Sequence, residues 1–182
     1  MIKDALTQVS TWTIDQAHSK IFFKVKHLVV STVTGTFDDF EGMVESSGTQ
    51  FDNARVIFSA KTNSVNTHNK DRDEHLRSTD FFNSEKYPLI RFKSTSFNKI
   101  GDDEYWLSGE LNIRGITKEV NLHATYLGET TDPFDKTKAA FEITGRINRK
   151  DFGLSWSVIT EGGGAVVSDE IKLLLEITII MD

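Results

Sequence analysis

The 182-residue chain reads as an all-β protein: antiparallel strands in a single domain, residues 1–182, with one short helix set between strands. Three observations carry that reading. Apolar and polar residues alternate with period two over most of the length. The segments marked this way are joined by short turns such as Gly101-Asp102-Asp103 and Gly115-Ile116-Thr117. The one stretch that breaks the alternation, KDRDEHLRSTDFF (Lys70–Phe82), has the caps and charge order of a helix.

A short strand near Trp12–Asp15 opens the series. Ile21, Phe23 and Val25 then form an apolar line opposite Lys24 and Lys26. TVTGTFDDFEGMVES (Thr32–Ser46) follows, and then Ala54, Val56, Phe58 and Ala60 oppose Arg55 and Lys61. In the helix, Thr67 or Asn69 supplies the cap, acidic side chains fill the first turn, and Leu76, Phe81 and Phe82 are apolar feet. Beyond it, Ile90 and Phe92 face away from Arg91 and Lys93, and Leu107, Leu111 and Ile113 away from Glu110, Asn112 and Arg114. Val120, Leu122 and Ala124 oppose Glu119, Asn121 and His123; Ala139, Phe141, Ile143 and Ile147 oppose Lys138, Glu142 and Arg146. A flexible loop, EGGGAVVSDE (Glu161–Glu170), leads into Ile171, Leu173, Leu175, Ile177 and Ile179.

About eight strands with one wet face must close into a barrel or stack into a sandwich. A run such as Lys138–Asn148 spans roughly 36 Å along itself, or about 28 Å of barrel axis at a tilt near 40°. That height would cross a membrane, but outward Lys, Arg, Glu and Asn exclude a lipid-facing band, so the apolar face points inward. A barrel of this size is either filled by side chains or holds one ligand. Inward Gly109, Gly145, Ala54, Ala60, Ala124 and Ala139 leave room beside the large Phe residues.

Composition removes several classes. Net charge is −6 with a pI near 5.4, and no basic run grips phosphates, so nucleic acid is not a partner. Cysteine is absent, which excludes disulfides, thiolate metal sites and a Cys nucleophile. The aromatics are 13 Phe against 3 Tyr and 3 Trp, a choice suited to a dry interior because Phe has no polar tip to satisfy. The opening MIKDALTQVSTW lacks the apolar stretch of about 7–15 residues that a leader or anchor needs. The expected location is therefore cytoplasmic, or periplasmic if a leader was removed.

Chemistry-bearing motifs are sparse. The five histidines show no H-x-x-x-H or H-x-H spacing, so no metal is expected, and no cofactor motif accompanies the glycines of the Glu161 loop. Asp15, His18 and Ser19 could be drawn as a triad, but no G-x-S-x-G elbow is present. His123 lies on a wet face. His27 continues the apolar line of Ile21, Phe23 and Val25, as a core histidine or a ligand contact. Arg72 and His75 share one helix face, where a guanidinium suits a phosphate or carboxylate.

WTIDQAHSKIFFKVKH (Trp12–His27), GTFDDFEG (Gly35–Gly42), RDEHLRSTDFF (Arg72–Phe82), YPLIRFKS (Tyr87–Ser94), LSGELNIRGITKEV (Leu107–Val120) and INRKDFGL (Ile147–Leu154) together resemble the YceI-like, polyisoprenoid-binding family. The match runs in order from about Trp12 to Ile180. The resemblance implies an extended, eight-stranded antiparallel lipocalin-like β-barrel holding a long apolar chain, a polyisoprenoid or fatty-acid-like amphiphile. It also implies a homodimer and no established catalytic activity. On that reading Phe23, Val25, Phe37, Phe58, Phe92, Leu107, Leu111, Leu122, Phe141, Ile143 and Leu173 line the pore, and His27, Arg72 and His75 stand at its mouth. The competing expectation is a hydrolase or isomerase for a hydrophobic substrate, with His75 and Asp71 or Asp73 as acid and base. A third is a filled barrel acting only through protein partners.

Overall fold

The computed structural model describes residues 8–164 and 166–182. Among them, eleven strands make one antiparallel sheet that rolls up until its first strand meets its last. Three of its staves are each made of two strands laid end to end. These are β1 (Val9–Ile14) with β2 (Lys20–His27), β3 (Ser31–Phe37) with β4 (Phe40–Ser47), and β5 (Gln50–Lys61) with β6 (Val65–Asn66). With β7 (Leu89–Lys99), β8 (Glu104–Ile113), β9 (Ile116–Thr131), β10 (Thr137–Asn148) and β11 (Val167–Met181), they form a closed eight-stranded barrel of lipocalin-like kind. The barrel, not the sandwich, is the solution to the one-wet-face problem.

The three breaks lie side by side. Gln16 Nε2 donates to Asp38 O at 3.0 Å, Asp38 N to Ser64 O at 3.2 Å, and Lys61 N to Asp39 O at 2.9 Å. They form a crease across the wall at which each stave turns without losing its backbone partners. β11 closes the ring. Its end pairs with β1 (Trp12↔Met181 to Ile14↔Ile179), its middle with β2 (Val25↔Ile171 to Lys20↔Glu176), and its other edge with β10.

Period-two alternation places the core. In β8, Tyr105, Leu107, Gly109, Leu111 and Ile113 are buried while Trp106 and Glu110 face water. The following hairpin differs by one step from the expected Gly115-Ile116-Thr117. Its turn is Arg114-Gly115, at φ 52° and 75°, and Ile116 already belongs to β9. A tight hairpin needs two adjacent left-handed residues, and the pair sits at 114–115. Gly109 and Gly145 also differ from the expected open space, and the interior Gly35 is filled in the same way. The Phe23 ring covers Gly35, the Phe92 ring covers Gly109, and the Leu122 side chain covers Gly145. The space beside these glycines is occupied by neighbours.

The two ends of the barrel are closed differently. At the lower end, Trp12, Phe51, Phe97, Tyr105, Tyr126 and Phe141 interlock, with ring centroids 4.9 Å apart for Phe51–Phe141 and 5.2 Å for Trp12–Phe51. Trp12 Nε1 donates to Ser46 Oγ at 2.8 Å, so the buried indole N–H is satisfied. The upper end carries α1 (Lys70–Arg77), shorter than the expected Lys70–Phe82. Asn69 is the cap, accepting from Arg72 N at 2.9 Å, and Ser78 Oγ turns back to donate to His75 O at 2.7 Å, ending the helix. Phe81 and Phe82 therefore lie in the turn that follows, buried beneath α1.

The β2–β3 hairpin rises past this cap. β6 meets β3 only at Thr36↔Asn66 and Phe37↔Val65, so Ser31–Gly35 and the β2 residues opposite them stand beyond it.

Candidate functional site

A cavity of about 210 Å³ runs along the barrel interior. Its floor is Phe51, Phe97 and Phe141; its upper wall is Val25, Leu154, Val167 and Ile171 on one side and Leu76, Phe81 and Phe82 on the other. Along β11 the lining extends from Val167 to Ile179, about 40 Å of strand at ~3.3 Å per residue. Phe23, Val25, Phe37, Phe58, Phe92, Leu107, Leu111, Leu122, Phe141, Ile143 and Leu173 all face it. Every lining residue is apolar except Arg149.

The residues assigned to the mouth are placed otherwise. Arg72 does not reach the cavity: its Nε donates to Thr67 Oγ at 2.7 Å and its Nη2 to Thr67 O at 2.9 Å, tying α1 to the segment before it. His75 is also outside the lining. Its Nε2 lies 2.8 Å from Asp80 Oδ2, and its ring stands edge-on to Phe81 and Trp156. His27 ends β2 between Ser31 and Val167, two residues past Val25, and is not among the lining residues.

The proposed acid–base set is not assembled. Asp73 is buried and accepts from both Thr67 N (2.8 Å) and Thr67 Oγ (2.6 Å), while Asp71 is exposed. Nor is the triad: His18 Nδ1 meets Asp15 Oδ2 at 2.8 Å, but Ser19 Oγ is bound to the Thr178 backbone. Lys138 Nζ stands 3.3 Å from the same Asp15 oxygen. Burial works against the Asp15 carboxylate, but His18 and Lys138 outweigh it and hold its pKa below the usual aspartate value. His123 Nε2 contacts Glu104 Oε2 on the outer wall. Among the described residues, no group of three or more His, Asp or Glu is arranged to hold a metal ion.

Sequence reading missed several lining residues, Phe51, Phe97 and Leu154 among them, and one charged one, Arg149. It is 2% exposed, and all its donors are engaged. Nε donates to Ser168 O (2.9 Å), Nη1 to Leu154 O (2.5 Å) and Trp156 O (2.7 Å), and Nη2 to Val167 O (3.3 Å) and Asp169 Oδ1 (3.5 Å). Burial pushes the guanidinium's pKa down and Asp169 partly restores it. Two more arginines do similar work on the other side of this end. Arg77 Nε donates to Asn63 O at 2.9 Å, and Arg114 Nη1 donates to Thr79 O (2.8 Å) and Phe81 O. The upper cap is thus held by guanidinium–carbonyl clasps as well as by its apolar feet.

Residues 12–179 match the YceI-like domain family. Protein YceI of Escherichia coli is 38% identical over 160 residues, covering 88% of this chain and 80% of that one. The crystal structure of the Campylobacter jejuni YceI protein superposes with a TM-score of 0.73 at 34% identity, covering 90% of this chain and 94% of that one. A polyisoprenoid-binding domain from Saccharophagus degradans shares the fold, with a TM-score of 0.67 at 16% identity over 94% of this chain and 98% of that domain.

Proposed function

Because the chain belongs to the YceI-like family, we propose that it binds one long-chain amphiphilic lipid, a polyisoprenoid or fatty-acid-like molecule, lengthwise in the barrel, for transport, storage or sequestration. The observation that supports this reading is the apolar lining from Phe141 at the floor to Val167 near the rim, interrupted only by Arg149, whose donors are all engaged within the protein. Such a surface offers hydrogen bonds to nothing, so its ligand is a hydrocarbon over most of its length. Burying roughly twenty methylenes is worth about 16 kcal/mol gross at ~0.8 kcal/mol each. Lost translation and chain ordering take back ~4–15 kcal/mol, which leaves binding feasible without a specific polar contact.

The open volume of about 210 Å³ is below the ~300–1,000 Å³ of clefts that enclose drug-sized ligands. For a long chain to enter, half-buried lining side chains such as Phe23 and Phe58 must swing aside to enlarge this lumen. The name of the Saccharophagus relative points to the same ligand class. Acid–base catalysis has less support, because His75 faces Asp80 rather than the lumen. A homodimer belongs to the same reading and is checked by sedimentation velocity.

Mass spectrometry under native conditions and after organic extraction tests the carrier reading. A stoichiometric long-chain species, released by solvent, is expected. A bare mass, with no uptake of added prenyl lipids or fatty acids, would overturn it.

A further inference from the structure

Two features of the upper rim stand outside the barrel's apolar core. The first is an apolar tip. The β2–β3 turn is Leu28-Val29-Val30, exposed by 44%, 75% and 87%. Beside it stand Val158 and Ile159, exposed by 48% and 74%. The two are tied together, since Leu28 N donates to Val166 O at 2.9 Å and Val166 N to Val158 O at 3.0 Å. The turn also runs against its own backbone. Leu28 and Val29 have φ of 51° and 65°, a left-handed region that suits Asn or Gly and penalises a β-branched residue. A turn built for polar residues is carrying exposed aliphatic ones, and that is strain without a packing return.

The second feature is a row of cations just behind the tip. Arg146, Lys172 and Lys24 are direct cross-strand neighbours on β10, β11 and β2, all exposed, with Lys26 one pleat nearer the tip. Like charges set directly opposite one another destabilise a sheet. Here they stand together in a chain of net charge −6. The nearby acids are partly committed: Glu170 to Arg146 at 3.2 Å, and Asp169 to Lys150 at 3.2 Å and Arg149 at 3.5 Å. Glu161 is exposed in the loop that follows Ile159. At ~3.3 Å per residue, Lys26 and Lys24 stand about 10 and 16 Å behind Val29.

We propose that this rim docks on an anionic lipid bilayer, with Leu28, Val29, Val30, Val158 and Ile159 entering the acyl boundary and Lys24, Lys26 and Lys172 lying at the headgroups. Apolar side chains that reach ~5–10 Å into a membrane, backed by cations, are the pattern of interfacial attachment. Charge decides between a bilayer and a second copy of this chain. A symmetric partner would bring the same cations against each other, whereas an anionic leaflet neutralises them. The inference builds on the proposed lipid carriage, because Val25, Val167 and Ile171 line the cavity on the inner face of this same rim. Docking here would bring the cavity's upper end to the ligand's source.

The test is co-sedimentation of the full chain with phosphatidylcholine vesicles, with and without phosphatidylglycerol. Binding to the anionic vesicles only, weakened by salt, is expected. Each of K24Q, K26Q and K172Q should weaken it about fivefold, from the ~1 kcal/mol that each cation contributes near an anionic surface. The variant L28N/V29G suits the turn's backbone better than the native pair, so it should fold at least as stably and lose vesicle binding about tenfold or more. Uptake of a fatty-acid probe from solution is measured alongside. If the wild type takes up the probe but sediments with neither vesicle, docking is refuted and the carrier reading stands. If L28N/V29G sediments like the wild type, the tip is not the attachment. If that variant instead breaks a dimer seen for the wild type, a second copy covers this face and the proposal falls.

Discussion

Replacing Arg149 by methionine tests how the upper end is held. Methionine keeps much of the stem's volume and donates nothing. The carbonyls of Leu154, Trp156, Val167 and Ser168 then lose their guanidinium partner together. A buried acceptor left unsatisfied costs ~1–3 kcal/mol. Leu154 is buried, but Trp156, Val167 and Ser168 are half-buried, so water recovers part of that loss. Removing a desolvated cation also returns some stability, the same burial that pushes its pKa down. The balance is a net cost of about 3–5 kcal/mol, in the range for breaking one side of a buried charged network. For a chain of this length each kcal/mol lowers the melting temperature by ~2–4 °C, so R149M should melt about 6–20 °C below the wild type by calorimetry or circular dichroism. R149K, a point charge without the fork that reaches four carbonyls, should fall between the two. An R149M protein melting within about 2 °C of the wild type would refute the clasp.

Three further outcomes follow from the same structure. Phe58→Glu puts a charge into the lumen from a half-buried position; the folded variant should lose lipid uptake by at least tenfold, and unchanged uptake in a fluorescent-lipid titration would show that the ligand does not pass Phe58. His75→Gln should leave lipid affinity within about twofold and cost roughly 1 kcal/mol of stability through Asp80, since the ring lies outside the cavity; loss of a measurable turnover in this variant would instead revive the acid–base reading. Asp15 is held below the usual aspartate pKa by His18 and Lys138, so its folded value lies under its unfolded one. Its stabilising contribution is therefore present above the ordinary value of about 3.9 and is lost as pH falls through the folded one. Asp15→Asn should lower the melting temperature at neutral pH and flatten its decline on acidification, and a decline identical to the wild type's would contradict the assignment.

Most of the wall was readable from residues such as Leu107, Leu111 and Leu122, because a half-buried strand writes its inner face into every second position. Arg149 shows the limit of that reading. It continues the same inward line as Phe141, Ile143 and Ile147, and this parity alone was a usable signal that the cation points inward. Its charge argued the other way, and only its five partners, drawn from Leu154 to Asp169, explain how the interior tolerates it. Arg72 and His75 erred in the opposite direction. Helical spacing placed them on a shared face, but which face meets the lumen depends on where Arg77 and Arg114 anchor the cap, and spacing within one helix holds no such information. The creases at Gln16–His18 and Thr62–Ser64 were invisible for a similar reason: each is short, and what defines it is a neighbour on another stave.

The way β11 closes the ring has a consequence for when the lumen comes into being. This one strand borders β10, β2 and β1 at once, and its partners Trp12 and Ile14 lie some 165 residues or more away in sequence. Contacts of that separation are the slowest for a folding chain to find. A growing polypeptide that has made everything up to Asn148 still has an open trough, with Phe23 and Leu122 facing water. Only when the last stave arrives does an enclosed space exist to receive a guest. On the proposed carrier reading the container is all or none: a form without β11 has no closed lumen in which to hold a chain, and the exposed trough is the state from which misassembly would start.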